Sequence, residues 1–166
     1  MDRIYFEKFL SEDDFKYYSS LIFNEQVMAM NYGRIFNMDE ANYLYEWMMK
    51  NNKDLGALGS FKVFQCNTNT FIGFAALLPN EDSTEAELEY MLLPDYWGQG
   101  YGTEIAMKLL RIAEGVDNLQ TLTATIGVDN LASKNILLKT GFTHLKFFEN
   151  DDNGSPVEMF TMDVTH

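Results

Sequence analysis

Glu87-Leu88-Glu89-Tyr90-Met91-Leu92-Leu93-Pro94-Asp95-Tyr96-Trp97-Gly98-Gln99-Gly100-Tyr101-Gly102-Thr103 is the stretch on which the fold turns. Its first half alternates polar and apolar residues and stops at Pro94, as a strand does where a backbone donor is lost. Its second half places glycines at 98, 100 and 102 and runs into Glu104 to Glu114, where Ile105, Leu109, Ile112 and Ala113 share one helical face. The order is therefore strand, glycine loop, amphipathic helix. Glycine opens backbone conformations closed to other residues and lets a ligand approach the main chain. A helix N-terminus adds N–H groups without partners and the positive end of the helix dipole. This layout is a phosphate cradle, but an ordinary glycine-rich turn has the same form, and the glycines alone do not separate the two. The Rossmann pattern G-x-G-x-x-G would need a glycine where Thr103 stands, and residues 119–124 (Leu-Gln-Thr-Leu-Thr-Ala) offer no ribose-binding acid. The P-loop pattern is absent.

Upstream, Ser11 with Asp14 three residues later predicts a capped helix running through Tyr17, Leu21 and Ile22. A second helix is expected from Asp39, with a cap at Asn37 and with Ala41, Leu44, Tyr45 and Met48 at helical spacing. Residues 61–66 and 71–77 read as strands joined by the turn Asn67-Thr68-Asn69-Thr70, and residues 87–93 as a third strand. Downstream, residues 119–128 are β-rich, and Leu131 to Thr140 is a helix opened by Asn130 and closed by Gly141. Residues 142–148 and 157–164 are strands about the turn Asp151-Asp152-Asn153-Gly154. No boundary or repeat interrupts this order, so one domain over residues 1–166 is expected.

A chain of 166 residues buries about two-thirds of its unfolded surface. Twelve Lys and Arg against 25 Asp and Glu give a net charge of −13. That balance disfavours nucleic acid and anionic membranes and attracts cationic ligands, though acidity also serves solubility alone. The single cysteine, Cys66, excludes an internal disulfide and a cysteine-based zinc cluster. No metal site is expected, since His144 has no second ligand near it in sequence and His166 ends the chain. Without a secretion-type start or an apolar run of membrane length, a cytoplasmic protein is expected.

The stretch from Glu87 to Glu104 resembles motif A of the GNAT N-acetyltransferases, and within them the RimJ/RimL-type branch, whose pattern runs roughly E-I-G-Y-x-L-x-P-x-Y-W-G-x-G-Y-A-T-E. Val128 to Phe142 resembles motif B, N-x-x-S followed by G-F, with Asn130, Ser133, Gly141 and Phe142 in place. Ile72-Gly73-Phe74 is similar to the family's third strand. The order of elements agrees from about Leu10 to Val164.

The resemblance implies an α/β (α+β) fold: a mixed, mostly antiparallel, twisted sheet of six to seven strands, with helices on both faces and a splayed central strand pair. It implies acetyl-CoA as co-substrate and transfer of the acetyl group to a primary amine: a protein N-terminus, a polyamine or an amino sugar. A catalytically silent acyl-CoA-binding module is the alternative. The diphosphate maps onto Gly98, Gln99, Gly100, Tyr101, Gly102 and Thr103, held by main-chain N–H groups. The general motif begins with Gln or Arg, where this chain has Trp97. The pantetheine arm maps onto Tyr90, Met91 and Leu92, where a backbone N–H can stabilise an oxyanion. Asn130 maps onto a CoA-contacting asparagine and is equally an N-cap. Ser133 can protonate a departing thiolate or bond the helix backbone. For the base, Glu89 and Glu87 share a strand face, because residues two apart point the same way; Glu149 is a third acid. Many members carry a tyrosine four residues before the G-F pair, where this chain has Leu137, which leaves Ser133, Tyr90, Tyr101 or water as proton donor. Met28, Met30, Tyr32, Tyr43, Trp47 and Met48 are either core or the lining of an acceptor pocket. The assembly is expected to be a monomer or a homodimer.

Overall fold

The computed structural model describes residues 2–166. Strands β1 (Ile4–Lys8), β2 (Gly59–Gln65), β3 (Phe71–Pro79), β4 (Glu85–Leu92), β5 (Thr121–Gly127), β6 (Thr143–Glu149) and β7 (Pro156–Asp163) form one sheet in the order β1-β2-β3-β4-β5-β7-β6. Every neighbouring pair is antiparallel except β4 and β5. Helices α1 (Phe15–Ile22), α2 (Glu25–Asn31), α3 (Met38–Asn52), α4 (Tyr101–Glu114) and α5 (Leu131–Thr140) complete the layers. This is the mixed α/β architecture expected from the sequence.

Two elements escape a reading of the sequence. β1 has five residues and takes its register from β2, with Ile4 opposite Gln65 and Lys8 opposite Phe61; without that partner its period is too short to read. α2 is also short and buries only Val27 and Met28, although Asn24 caps it by accepting from the Gln26 and Val27 N–H groups. Three helix starts differ as well. Ser11 caps a 3-10 turn, Glu12–Asp14, through the Asp13 N–H. Asp14 makes no reciprocal cap there; its carboxylate lies 2.7 Å from the ammonium of Lys62. α3 starts at Met38, one residue early, under a full capping box between Asn37 and Glu40. α4 starts at Tyr101, three residues ahead of the expected Glu104, because Gly100 turns the chain with φ 87°.

The sheet separates two cores. On one face Ile105, Leu109, Ala113 and Leu137 of the α4–α5 side pack on Val63, Ala75, Leu88, Leu122 and Phe160. On the other, Leu21, Ile22, Val27, Ala41, Tyr45 and Met48 of α1–α3 pack on Phe64, Phe74, Ala76 and Met91. Each fully buried Leu or Ile contributes roughly 1.5–3 kcal/mol, so both helix layers are held firmly to the strands between them. β4 serves both: Ala86, Leu88 and Leu92 belong to the first core and Met91 to the second, as period-2 alternation requires.

The parallel ladder between β4 and β5 is brief. Glu85 pairs with Thr121, Ala86 with Leu122 and Glu87 with Thr123, and there the pairing stops. β5 stays with β7 through Gly127, and β4 stays with β3 through Leu92. The two strands therefore splay, and a cavity opens between Glu87–Met91 on one side and Ala124–Gly127 on the other.

Candidate active site

Register fixes which backbone groups face the opening. The Leu93 N–H donates to Ile72 O at 2.9 Å. Antiparallel pairing alternates, so the Met91 and Glu89 main-chain groups also point to β3, while those of Tyr90 and Leu92 point into the gap. The Trp97 indole N–H takes the Leu92 carbonyl at 2.8 Å. Trp97 thus ties the loop to the end of β4. The Leu92 and Tyr90 N–H groups remain directed at the gap.

The loop presents its main chain to a second cavity, of about 280 Å³, lined by Met30, Tyr90, Met91, Leu92, Trp97, Gly98, Gly100, Gly102, Thr103, Asn130, Ser133 and Ile136. Gly98 and Gly100 hold φ of 71° and 87°, a region that costs an L-residue roughly 1–2 kcal/mol. At Gly102 a Cβ would stand 2.8 Å from Ile136 Cδ1 and 3.4 Å from the Tyr90 ring. The glycines therefore hold the loop open and let α4 approach β4 and α5. Gln99 and Tyr101 are on the loop, but their side chains turn away. The Gln99 amide donates to Asp95 O. The Tyr101 hydroxyl accepts from Gln65 Nε2 at 2.8 Å and the ring is buried beneath Arg3. That contact directs the Tyr101 hydroxyl away from both cavities and removes it as a proton donor. Arg3 braces the loop from outside: its guanidinium donates to Gln99 O at 3.1 Å and pairs with Glu104 at 2.8 Å.

Asn130 caps α5 by accepting from the Ser133 N–H, and its amide donates to Met30 O at 3.4 Å, tying α5 to α2 across the mouth of the gap. Ser133 does not bond the helix backbone through its hydroxyl. That hydroxyl accepts from Tyr90 Oη at 3.0 Å, and both residues line the loop cavity. Burial pushes the Tyr90 phenol above its ordinary pKa, outweighing the opposing effect of Ser133. The missing tyrosine is accounted for by Leu137, which is fully buried in the core; the nearest phenol on this side comes from the strand instead.

Glu89 and Glu87 share the opposite face of β4, as their spacing predicts, and both line the splay cavity. Glu89 also lines a third cavity, of about 440 Å³, with Tyr18, Tyr32, Phe36, Trp47, Phe74 and Met91 around it and Arg34, Glu40 and Asp152 among its polar groups. Though half-buried by its opening to these cavities, the Glu89 carboxyl is packed closely by protein. Desolvation first, then the charge of Glu87 and a hydrogen bond to it, push its pKa up to about 8. Of the six residues weighed as pocket lining, Tyr32, Trp47 and Met48 line this third cavity. Met30 lines the loop cavity, Met28 is core and Tyr43 is exposed. Glu149 is exposed on β6 and lines none of the three cavities. His144 pairs with buried Glu158 at 2.7 Å. Sequence reasoning missed Arg34, Glu40 and Asp152, which come from three separate segments and carry no motif.

The family described as the acetyltransferase (GNAT) domain matches residues 3–143. The chain belongs to the GNAT acetyltransferase family. Among curated proteins, the FsC-acetyl coenzyme A-N(2)-transacetylase of Aspergillus fumigatus is 29% identical over 141 residues, which cover 79% of this chain and 59% of that protein. Spermidine N-acetyltransferase from Vibrio cholerae, solved with CoA and spermine, superposes with a TM-score of 0.79 at 18% identity, covering 98% of this chain and 96% of its own. The Salmonella typhimurium acetyltransferase that modifies the N-terminal serine of ribosomal protein L7/L12 superposes at 0.80 and 15% identity, over 99% and 97% of the two chains. At these identities the two structures speak for the fold alone, which has the GNAT form.

Proposed function

We propose that this GNAT protein transfers an acetyl group from acetyl-CoA directly to a primary amine. One observation carries the reading: consecutive residues of β4 address opposite cavities, with Glu89 facing the aromatic cavity and Tyr90, bonded to Ser133, facing the glycine loop. A base and an acid thus stand on either side of a single splayed strand.

The loop fits the cofactor. Main-chain groups of Gly98 to Thr103 would hold the diphosphate at the start of α4, the Tyr90 and Leu92 N–H groups would pair with the pantetheine amides, and Asn130 and Ser133 would line the remaining length. Bound acetyl-CoA supplies an activated thioester. The chain's own residues supply the proton handling. An alkylammonium has a pKa near 10, so it must lose a proton before it can attack. Glu89, at about 8, is a better acceptor for that proton than an ordinary carboxylate, and Glu87 beside it keeps the site poised. The Tyr90 phenol stays protonated and donates to Ser133 Oγ, which leaves the Ser133 hydroxyl proton for the departing thiolate on the loop side, to be replaced from the phenol. A gap-facing β4 N–H provides the oxyanion donor. The 166 residues also make up a single catalytic domain in this reading.

A thiol-release assay over a panel of primary amines, run with wild type and Glu89→Gln, tests the proposal. Turnover in wild type that falls steeply in the variant supports it. CoA-dependent thermal stabilisation without turnover on any amine would show a silent acyl-CoA-binding module instead.

A further inference from the structure

The β6–β7 turn is pinned to the α2–α3 loop beside the aromatic cavity. The Arg34 guanidinium meets Asp152 of the turn at 2.9 and 3.2 Å and Glu40 of α3 through two contacts of 2.8 Å. A lone surface ion pair holds little, but a planar fork that takes each of two carboxylates by two bonds holds well. A second tie lies next to it: the Asn153 amide donates to Tyr32 O at 2.9 Å. Gly33 permits that approach, since a Cβ there would stand 2.8 Å from Asn153 Nδ2. Tyr32, from the pinned loop, and Asn150, which opens the pinned turn, line both the splay cavity and the aromatic cavity, and so do Glu89 and Met91. The two residues that stand with Glu89 where the cavities join are therefore carried by the two segments that Arg34 ties.

We infer that Arg34 is a positioning residue: by clasping the turn to the loop it holds Tyr32 and Asn150 over Glu89 and keeps water from that carboxyl. The inference rests on the acetyltransferase reading for its bearing on the reaction, since Glu89 is the proposed base. Burial is the first cause of the raised Glu89 pKa. The charge of Glu89 is in turn the first cause that lifts the Tyr32 phenol, as close packing of the two requires. The charged and titratable groups around Glu89 are Glu87 of β4, Tyr18 of α1, Tyr32 and Arg34 of the loop, Glu40 of α3 and Asp152 of the turn. Acting as bare charges, Arg34 and Asp152 would oppose each other: loss of the cation raises a carboxyl's pKa, and loss of the anion lowers it. Acting as a clasp, they agree: either loss admits water, and the carboxyl's pKa falls.

The test titrates Glu89 by carboxyl carbon NMR in wild type, Arg34→Met and Asp152→Asn, with the Glu89 signal assigned by its loss in Glu89→Gln. The midpoint is expected to fall in both variants, by about half a unit or more from the wild-type value of about 8. CoA affinity by calorimetry should stay within about twofold of wild type, because the loop cavity is remote from the clasp. A rise in Arg34→Met with a fall in Asp152→Asn, or a midpoint unmoved in either variant, would overturn the inference. So would a parallel loss of CoA affinity, which would give Arg34 a general structural role. The pH inflection of kcat/KM over a panel of primary amines is read alongside. A midpoint that falls while the inflection stays put would keep the clasp and remove Glu89 as the base. The NMR midpoint needs no turnover, so the two readings fail separately.

Discussion

The two sides of β4 are built by different means. On the α4 side the site is main chain: a glycine loop with two residues at positive φ, the gap-facing N–H groups of Tyr90 and Leu92, and a helix N-terminus. On the α1–α3 side it is side chain: Glu89, a ring of aromatics and the Arg34 cluster, contributed by α1, the α2–α3 loop, α3, β3, β4 and the β6–β7 turn. A backbone site tolerates change of side chain, provided the glycines remain. A side-chain site can be rebuilt for a new ligand without disturbing the sheet. One fold can thus keep its donor site while its acceptor site varies.

The comparison breaks most visibly at Glu89. Glu89→Gln keeps the shape and removes the base, and kcat should fall by about 10²–10⁴, with CoA affinity by calorimetry within about twofold of wild type. If CoA binding fell in step, the two sides would not be independent. On the other side, Gly100→Val forces a β-branched residue to φ 87°. Strain of roughly 1–2 kcal/mol or more predicts CoA binding weaker by about tenfold or more, while amine binding measured without cofactor stays put. Tyr90→Phe removes the phenol that donates to Ser133, the relay proposed for the loop side, but leaves the ring against Gly102, and should lower kcat about tenfold or more with little change in the Kd of CoA; an unchanged kcat would leave water as the donor.

Smaller effects sharpen the picture. With the ionised form of Glu89 as the proposed base, kcat/KM should rise with pH and level off above about 8. Glu87→Gln removes the neighbouring charge and should move that inflection down by about one unit; a profile that stays in place would detach the inflection from this pair. The same raised pKa bears on stability. Folding takes up a proton on Glu89 between the ordinary 4.5 and about 8, so native stability is lost as pH rises through that window. Glu89→Gln should therefore melt higher than wild type at pH 9, by on the order of 5 °C, with the gap closing below pH 5. A gap independent of pH would point to packing rather than charge.

Much of the glycine-loop side was legible in the sequence. The strand stop at Pro94, the alternate glycines and the amphipathic helix follow from local rules: a lost donor, a conformation closed to Cβ, and a 3.6-residue period. Motif B was legible for the same reason, since Asn130 and Gly141 are a helix cap and a helix stop. The pairing of Glu87 and Glu89 on one face followed from the strand period. The acceptor side was largely dark. Arg34, Glu40 and Asp152 lie up to 118 residues apart and meet only because the β6–β7 turn folds over the loop before α3, where Asn153 also donates to Tyr32 O. Tyr101 misled because sequence gives a side chain's position along a helix but not the partner, Gln65, that turns it away.

By itself, then, the sequence determined the order of elements, the glycine loop and the two candidate carboxylates, because each is written in contiguous residues governed by backbone sterics and periodicity. Tertiary structure alone decided where β4 and β5 part, that Tyr90 meets Ser133, that Glu89 is desolvated beside Glu87, and that Arg34 lines one end of the aromatic cavity. Those facts depend on distances between segments remote in the chain, which packing of the two cores sets and local sequence does not encode.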